Sequence, residues 1–87
     1  MTAPPRIEFP CEYPIKVIAE AELGLVQVIL AIAQRHDPTL VMERVSERMS
    51  RNGNYNAITL QFFATGPSQI ERLFCDLKEC EAVRLVL

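Results

Sequence analysis

Arg51-Asn52-Gly53-Asn54, followed by Tyr55-Asn56-Ala57-Ile58-Thr59-Leu60-Gln61-Phe62-Phe63-Ala64-Thr65, is the stretch that decides the fold. Asn-Gly between two strand-like runs is the strongest short-range hairpin signal, because both residues tolerate the positive φ of a tight turn. After the turn, Ile58, Leu60, Phe62 and Ala64 alternate with Ala57, Thr59, Gln61 and Phe63, the period-two pattern of a strand with one buried face. Before it, residues 40–50 read as a weaker strand. Val41, Val45 and Met49 point one way only if Glu43 and Glu47 share their face, so a bulge or an edge position is expected. The charges of Glu43, Arg44, Glu47 and Arg48 suit an edge that resists pairing with other chains.

Working outward, Ile15, Val17 and Ala19 alternate with Lys16, Ile18 and Glu20, which predicts a first strand from residue 13, with Pro14 tolerated only at its start. Residues 23–36 read as a helix whose apolar side chains span an arc of roughly 220°. That arc is wider than a sheet alone covers, so contact with a second helix or another subunit is expected. Asp37-Pro38 ends the helix, since the residue before proline avoids the helical region. Beyond the hairpin, Thr65 or Gly66 caps a second helix, with Pro67 in its first turn and Glu71 able to join a capping interaction from Ser68. Ile70, Leu73, Phe74 and Leu77 form its apolar stripe, and Arg72 and Asp76 are spaced to pair on its wet side. Residues 82–87 read as a final strand.

The order β-α-β-β-α-β predicts an α+β ferredoxin-like sandwich, with two helices on one face of a four-stranded antiparallel sheet. The expected core is Ile15, Val17, Ile58, Leu60, Phe62, Val83 and Leu85 beneath Leu23, Val26, Leu30, Ile70, Leu73 and Leu77. Nothing in the chain is left over to cover the other face of the sheet.

With 87 residues the chain is one domain, burying roughly 64% of its surface by size scaling. Residues 1–12, holding Pro4, Pro5 and Pro10, read as a flexible arm that docks Phe9, and residues 13–87 as the single domain. Eleven acidic against nine basic residues give a net charge of −2, which excludes the broad positive field of a nucleic-acid binder. No apolar stretch approaches the ~20 residues of a membrane span, and no signal-peptide core is present. Cys11, Cys75 and Cys80 are odd in number and lack ligand spacing, so a cytoplasmic protein with free thiols and no cofactor is expected.

Phe9-Pro10, Tyr13-Pro14-Ile15-Lys16-Val17, Gln34-Arg35-His36-Asp37-Pro38, Gly53-Asn54-Tyr55 and Val83-Arg84-Leu85-Val86-Leu87 resemble the YbeD family of short bacterial proteins, from Phe9 to the C-terminus. The resemblance implies a ferredoxin-like fold similar to the ACT regulatory domain. It implies no catalytic residues, since that family has no established activity. Ala21-Glu22-Leu23-Gly24-Leu25-Val26 also looks like the ACT turn of an acid, two residues, glycine and two aliphatics, a turn that often lies at a dimer interface and binds amino acids. Here the acid stands one place late, at Glu22, with Ala21 in its usual position. The plain reading of Gly24 is close packing at a helix start.

Other candidates have plain readings too. His36, the only histidine, sits where a positive imidazole favours a helix end, without the partners that nucleophilic catalysis needs. Cys75 and Cys80 lie about 140° apart around a helix, which does not make a metal clamp. Phe63 alone among the outward strand positions is aromatic, too few for base stacking. The reading that follows is a non-enzymatic regulatory or interaction module with a protein partner or a second copy, no nucleic acid and no membrane. Its expected contact face is Ile18, Phe63 and Val86, rimmed by Lys16, Glu20, Gln61 and Arg84. The alternative is a sensor holding a small-molecule effector near Glu22 and Gly24.

Overall fold

A computed structural model describes residues 8–87. Its elements run β1 (Cys11–Glu20), α1 (Leu25–Gln34), a single 3-10 turn (Met42–Arg44), β2 (Val45–Met49), β3 (Tyr55–Ala64), α2 (Pro67–Glu79) and β4 (Val83–Val86). The strands form one antiparallel sheet in the order β2-β3-β1-β4. This is the expected ferredoxin-like arrangement. The hairpin closes between Ser50 and Tyr55, with Gly53 at φ 73°, the left-handed region where a side chain would be strained.

The period-two reading of β1 and β3 holds residue by residue. Val17 opposes Ile58 and Ile15 opposes Leu60, and all four are fully buried, as are Ala19, Phe62 and Ala64. Leu73 and Leu77 of α2 close over them, with Ile70 and Phe74 partly buried. Phe9 packs against this core as expected. The folded unit nevertheless starts earlier than residue 13, because Cys11 and Glu12 already pair with Ala64 and Phe63 at the far end of β3. The arm expected over residues 1–12 otherwise lies outside the described residues up to position 7.

Four expectations need correction. Helix α1 starts at Leu25, because Gly24 takes φ 78° and stops the helix from extending back. Leu23 therefore sits in the turn, fully exposed, and the buried line of α1 is Leu25, Ile29 and Ala33, with Val26 and Leu30 only flanking it. Strand β2 is five residues and not eleven, since a 3-10 turn follows the buried Leu40. It is an edge strand, and Glu47 does share the face of Val45 and Met49.

The third correction concerns α2. Its cap Gly66 has no side-chain partner, and no capping bond from Ser68 forms. Instead the Gln69 side chain reaches back, its Oε1 accepting from the Thr65 N–H at 2.6 Å. Asp76 does not pair with Arg72. It meets His36 Nε2 at 2.6 Å, tying the chain just after α1 to α2.

The fourth is the face of β4. Ile18 opposes Leu85 while Ala19 opposes Val83, so Arg84 is one extra residue, a β-bulge. One extra residue inverts the alternation beyond it. Val86, expected outward, faces the helices opposite Val17 at 9% exposure, and Leu85, expected inside, is 50% exposed on the open side.

Candidate functional site

Between paired strands, outward residues line up in rows across the sheet. One row on the open face runs Arg48 (β2), Ala57 (β3), Ile18 (β1) and Leu85 (β4). The next runs Ser46, Thr59 and Lys16, with Leu87 held beside Lys16 by two backbone hydrogen bonds of 3.0 and 2.8 Å. On the other side lie Tyr55 and Glu20, and Arg84 donates from its Nη2 to the Glu20 carboxylate. That bond holds the already strongly basic guanidinium even more firmly charged. The middle of this half of the face is thus apolar, made by Ile18, Ala57, Leu85, Leu87 and the ring of Tyr55.

Ala57 is the small residue of its row. Between Arg48 and Ile18 it leaves a recess of about 490 Å³, which Tyr55, Met49, Ser50 and Arg51 complete.

The residues proposed from sequence for this face do not all gather as expected. Ile18, Lys16 and Arg84 lie together at one end. Phe63 is on the open face, 37% exposed, which confirms the alternation of β3, yet it opposes Glu12 while Ile18 opposes Ala57. Six residues of strand, roughly 20 Å at ~3.4 Å each, separate the two, so they form no single patch. Val86 has left the face altogether. Leu85 takes its place beside Ile18, and Arg48 and Tyr55 join from neighbouring strands. An outward aromatic at residue 55 and an alanine at 57 were legible in the alternation; the bulge was not.

The turn carrying Glu22 and Gly24 borders a separate concavity of about 420 Å³, shared with Leu23, Val26, Met42, Glu47 and Asn56. Glu22 contributes its backbone carbonyl, which accepts from the Leu25 N–H at 3.2 Å. No side chain caps the first turn of α1. Asn56, only 4% exposed, donates from Nδ2 to Glu47 Oε2 at 2.8 Å, and its Oδ1 is buried without a partner. The sequence reading passed over Asn56, although a polar residue at the inward parity of Ile58, Leu60 and Phe62 was a visible signal.

His36 and Asp76 stand beside a third concavity with Cys75, Ser68 and Glu71. Gln69 Nε2 also donates to the His36 carbonyl at 2.7 Å, so this group staples α2 to the chain after α1. Asp37, buried, is a second staple: its Oδ1 accepts from the Thr39 N–H at 3.0 Å and its Oδ2 from the Phe63 N–H at 2.9 Å. All three cysteines are free thiols, and among the described residues no group of His, Cys, Asp and Glu is placed to hold a metal. No helix among them is long and apolar enough to cross a membrane.

Two helices against one face of an antiparallel sheet ordered β2-β3-β1-β4 define a ferredoxin-like domain. The solution structure of HP0495 from H. pylori matches it with a TM-score of 0.78, over 97% of this chain and 88% of that one, at 14% identity. The chain belongs to the family described as "protein of unknown function (DUF493)", whose pattern covers residues 4–87. A UPF0250 protein of Ectopseudomonas mendocina is 41% identical over 85 residues, spanning 97% of this chain and 92% of the relative. One from Azotobacter vinelandii is 40% identical over 84 residues, spanning 95% and 91%. The YbeD resemblance read from the sequence falls within this family of short bacterial proteins, whose function is not known.

Proposed function

We propose that the protein is a non-enzymatic interaction module that docks another protein on the open face of its sheet. The observation that supports this reading is the row Arg48–Ala57–Ile18–Leu85, an apolar centre with a recess and a polar rim, on a face no element of the described chain covers. Contact surfaces share that layout of apolar core and polar rim. Nothing in it is armed for catalysis, and the His36 ring is engaged in a staple between the chain after α1 and α2. The test is affinity capture from a bacterial lysate with the wild-type chain and with Ile18→Glu/Leu85→Glu. Loss of specific captured proteins at an unchanged melting temperature is expected; an identical captured set would overturn the reading.

Asn56 favours a second reading, small-molecule sensing at the β1–α1 turn. A buried carbonyl oxygen without a donor costs ~1–3 kcal/mol, which a ligand ammonium would relieve. The uncapped first turn of α1 offers free N–H groups to an anionic end. A zwitterion such as an amino acid supplies both. A ligand at 100 times its Kd stabilises the native state by about 2.7 kcal/mol. A thermal-shift screen of amino acids should therefore raise the melting temperature of the wild type and leave Asn56→Leu unmoved. A flat screen at millimolar ligand would exclude this reading.

A further inference from the structure

Resting on the docking reading, we propose that the segment received by the open face is an acidic peptide stretch bearing one large apolar side chain. The side chain enters the recess over Ala57, between Ile18 and Tyr55, and its flanking carboxylates meet Arg48, Arg51 and Lys16.

Charge is the first argument. The chain as a whole is acidic, at −2. The open face is not. Its two side-chain carboxylates are already engaged, Glu20 by Arg84 and Glu12 by Arg44 at 3.8 Å. Lys16, Arg48 and Arg51 have no ion-pair partner among the described residues, and all three are exposed. The acidic excess therefore lies elsewhere: Glu71, Asp76, Glu79 and Glu81 belong to α2 and the turn after it. A face of opposite sign to its own molecule selects a partner by complementarity and steers its approach.

Shape is the second. The recess opens between a cation on β2 and an apolar centre on β1 and β4, so one bound segment spans both. The same charges argue against a second copy of this chain, since two such faces brought together would set Arg48, Arg51 and Lys16 against like charge. RNA is disfavoured instead by the want of a stacking platform. Only Tyr55 borders the recess as an aromatic, and Phe63 is some 20 Å away along β3.

The test uses the full ¹⁵N-labelled chain, titrated with two synthetic peptides of equal length. One alternates leucine with aspartate and glutamate; the other has lysine at every acidic position. An oligouridylate is the third probe. The acidic peptide is expected to shift the amides of Ile18, Arg48 and Ala57, with binding that weakens as salt rises. Arg48→Glu/Arg51→Glu, both exposed and so without effect on folding, should weaken it by at least about tenfold and give the lysine peptide measurable binding in exchange. Arg48→Gln/Arg51→Gln should fall between. Equal binding of the lysine peptide to the wild type, tighter binding of the oligouridylate, or no shift with the acidic peptide at millimolar concentration overturns the proposal. If the acidic peptide fails while Ile18→Glu/Leu85→Glu still loses its captured partners, the docking reading survives and only the acidic assignment falls. An unchanged captured set removes both.

Discussion

Phe62 and Phe63 are neighbours in β3 with opposite fates. Phe62 is fully buried on the helix side of the sheet, and Phe63 is 37% exposed on the open face. Leu85 and Val86 in β4 make the same contrast at 50% and 9% exposure. The two faces of this sheet differ in what they can lose. The helix side is a packed interior where every methyl group has neighbours on all sides. The open side has room to change without cost to the fold, which is the physical condition for a surface that evolves toward a partner.

A matched pair in β3 puts the difference between the two faces to its most severe test. Phe62→Ala should destabilise by ~3–5 kcal/mol, the lost transfer energy plus the cavity left behind, whereas Phe63→Ala should cost under ~0.5 kcal/mol. Urea denaturation of both variants checks it; similar losses would mean that the open face is packed against something in solution.

Asp37→Ala comes next. Its carboxylate serves the N–H groups of Thr39 and Phe63, so its loss leaves a part-buried strand-end donor unpaired. A loss of ~2–3 kcal/mol is expected, set by hydrogen bonds to a charged group and the orphaned donor. This tests whether the end of β3 depends on the chain after α1. A loss below ~0.5 kcal/mol would show that water replaces the carboxylate.

Asn56→Leu inverts that expectation at a position equally buried. Its Oδ1 has no partner, and the one bond lost is to Glu47, which is exposed. Replacing it with an apolar side chain of the same branched shape should leave stability within ~1 kcal/mol of wild type. A loss above ~2 kcal/mol would indicate that Oδ1 is satisfied by ordered water, and would remove the support for a ligand there.

The smallest effect belongs to β4. Leu85→Ser should shift stability by under ~0.5 kcal/mol, while Val86→Ser, one residue on, should cost ~2 kcal/mol by placing a hydroxyl in the core. Equal costs would put the bulge at Arg84 in question, since the bulge alone assigns these two residues to their faces.

The amino-acid order alone carried the succession of elements, the hairpin at Asn52-Gly53 and the alternation of β1 and β3. Each rests on a local rule, a turn residue or a side-chain period, and in β1 and β3 burial on one face holds the register for ten residues. It also placed Phe63 on the open face and Lys16, Ile18 and Arg84 near one another. The rest came from long-range packing. Gly24 had to adopt a positive φ to turn β1 into α1, which moved the helix start and exposed Leu23. The match of β4 to β1 required one extra residue, and that bulge exchanged Leu85 for Val86 on the open face. How far Ile18 stands from Phe63 follows from which residues pair across β1 and β3, a long-range register that the alternation of either strand leaves free. Period two tells which face a residue takes; only the pairing tells which row it joins.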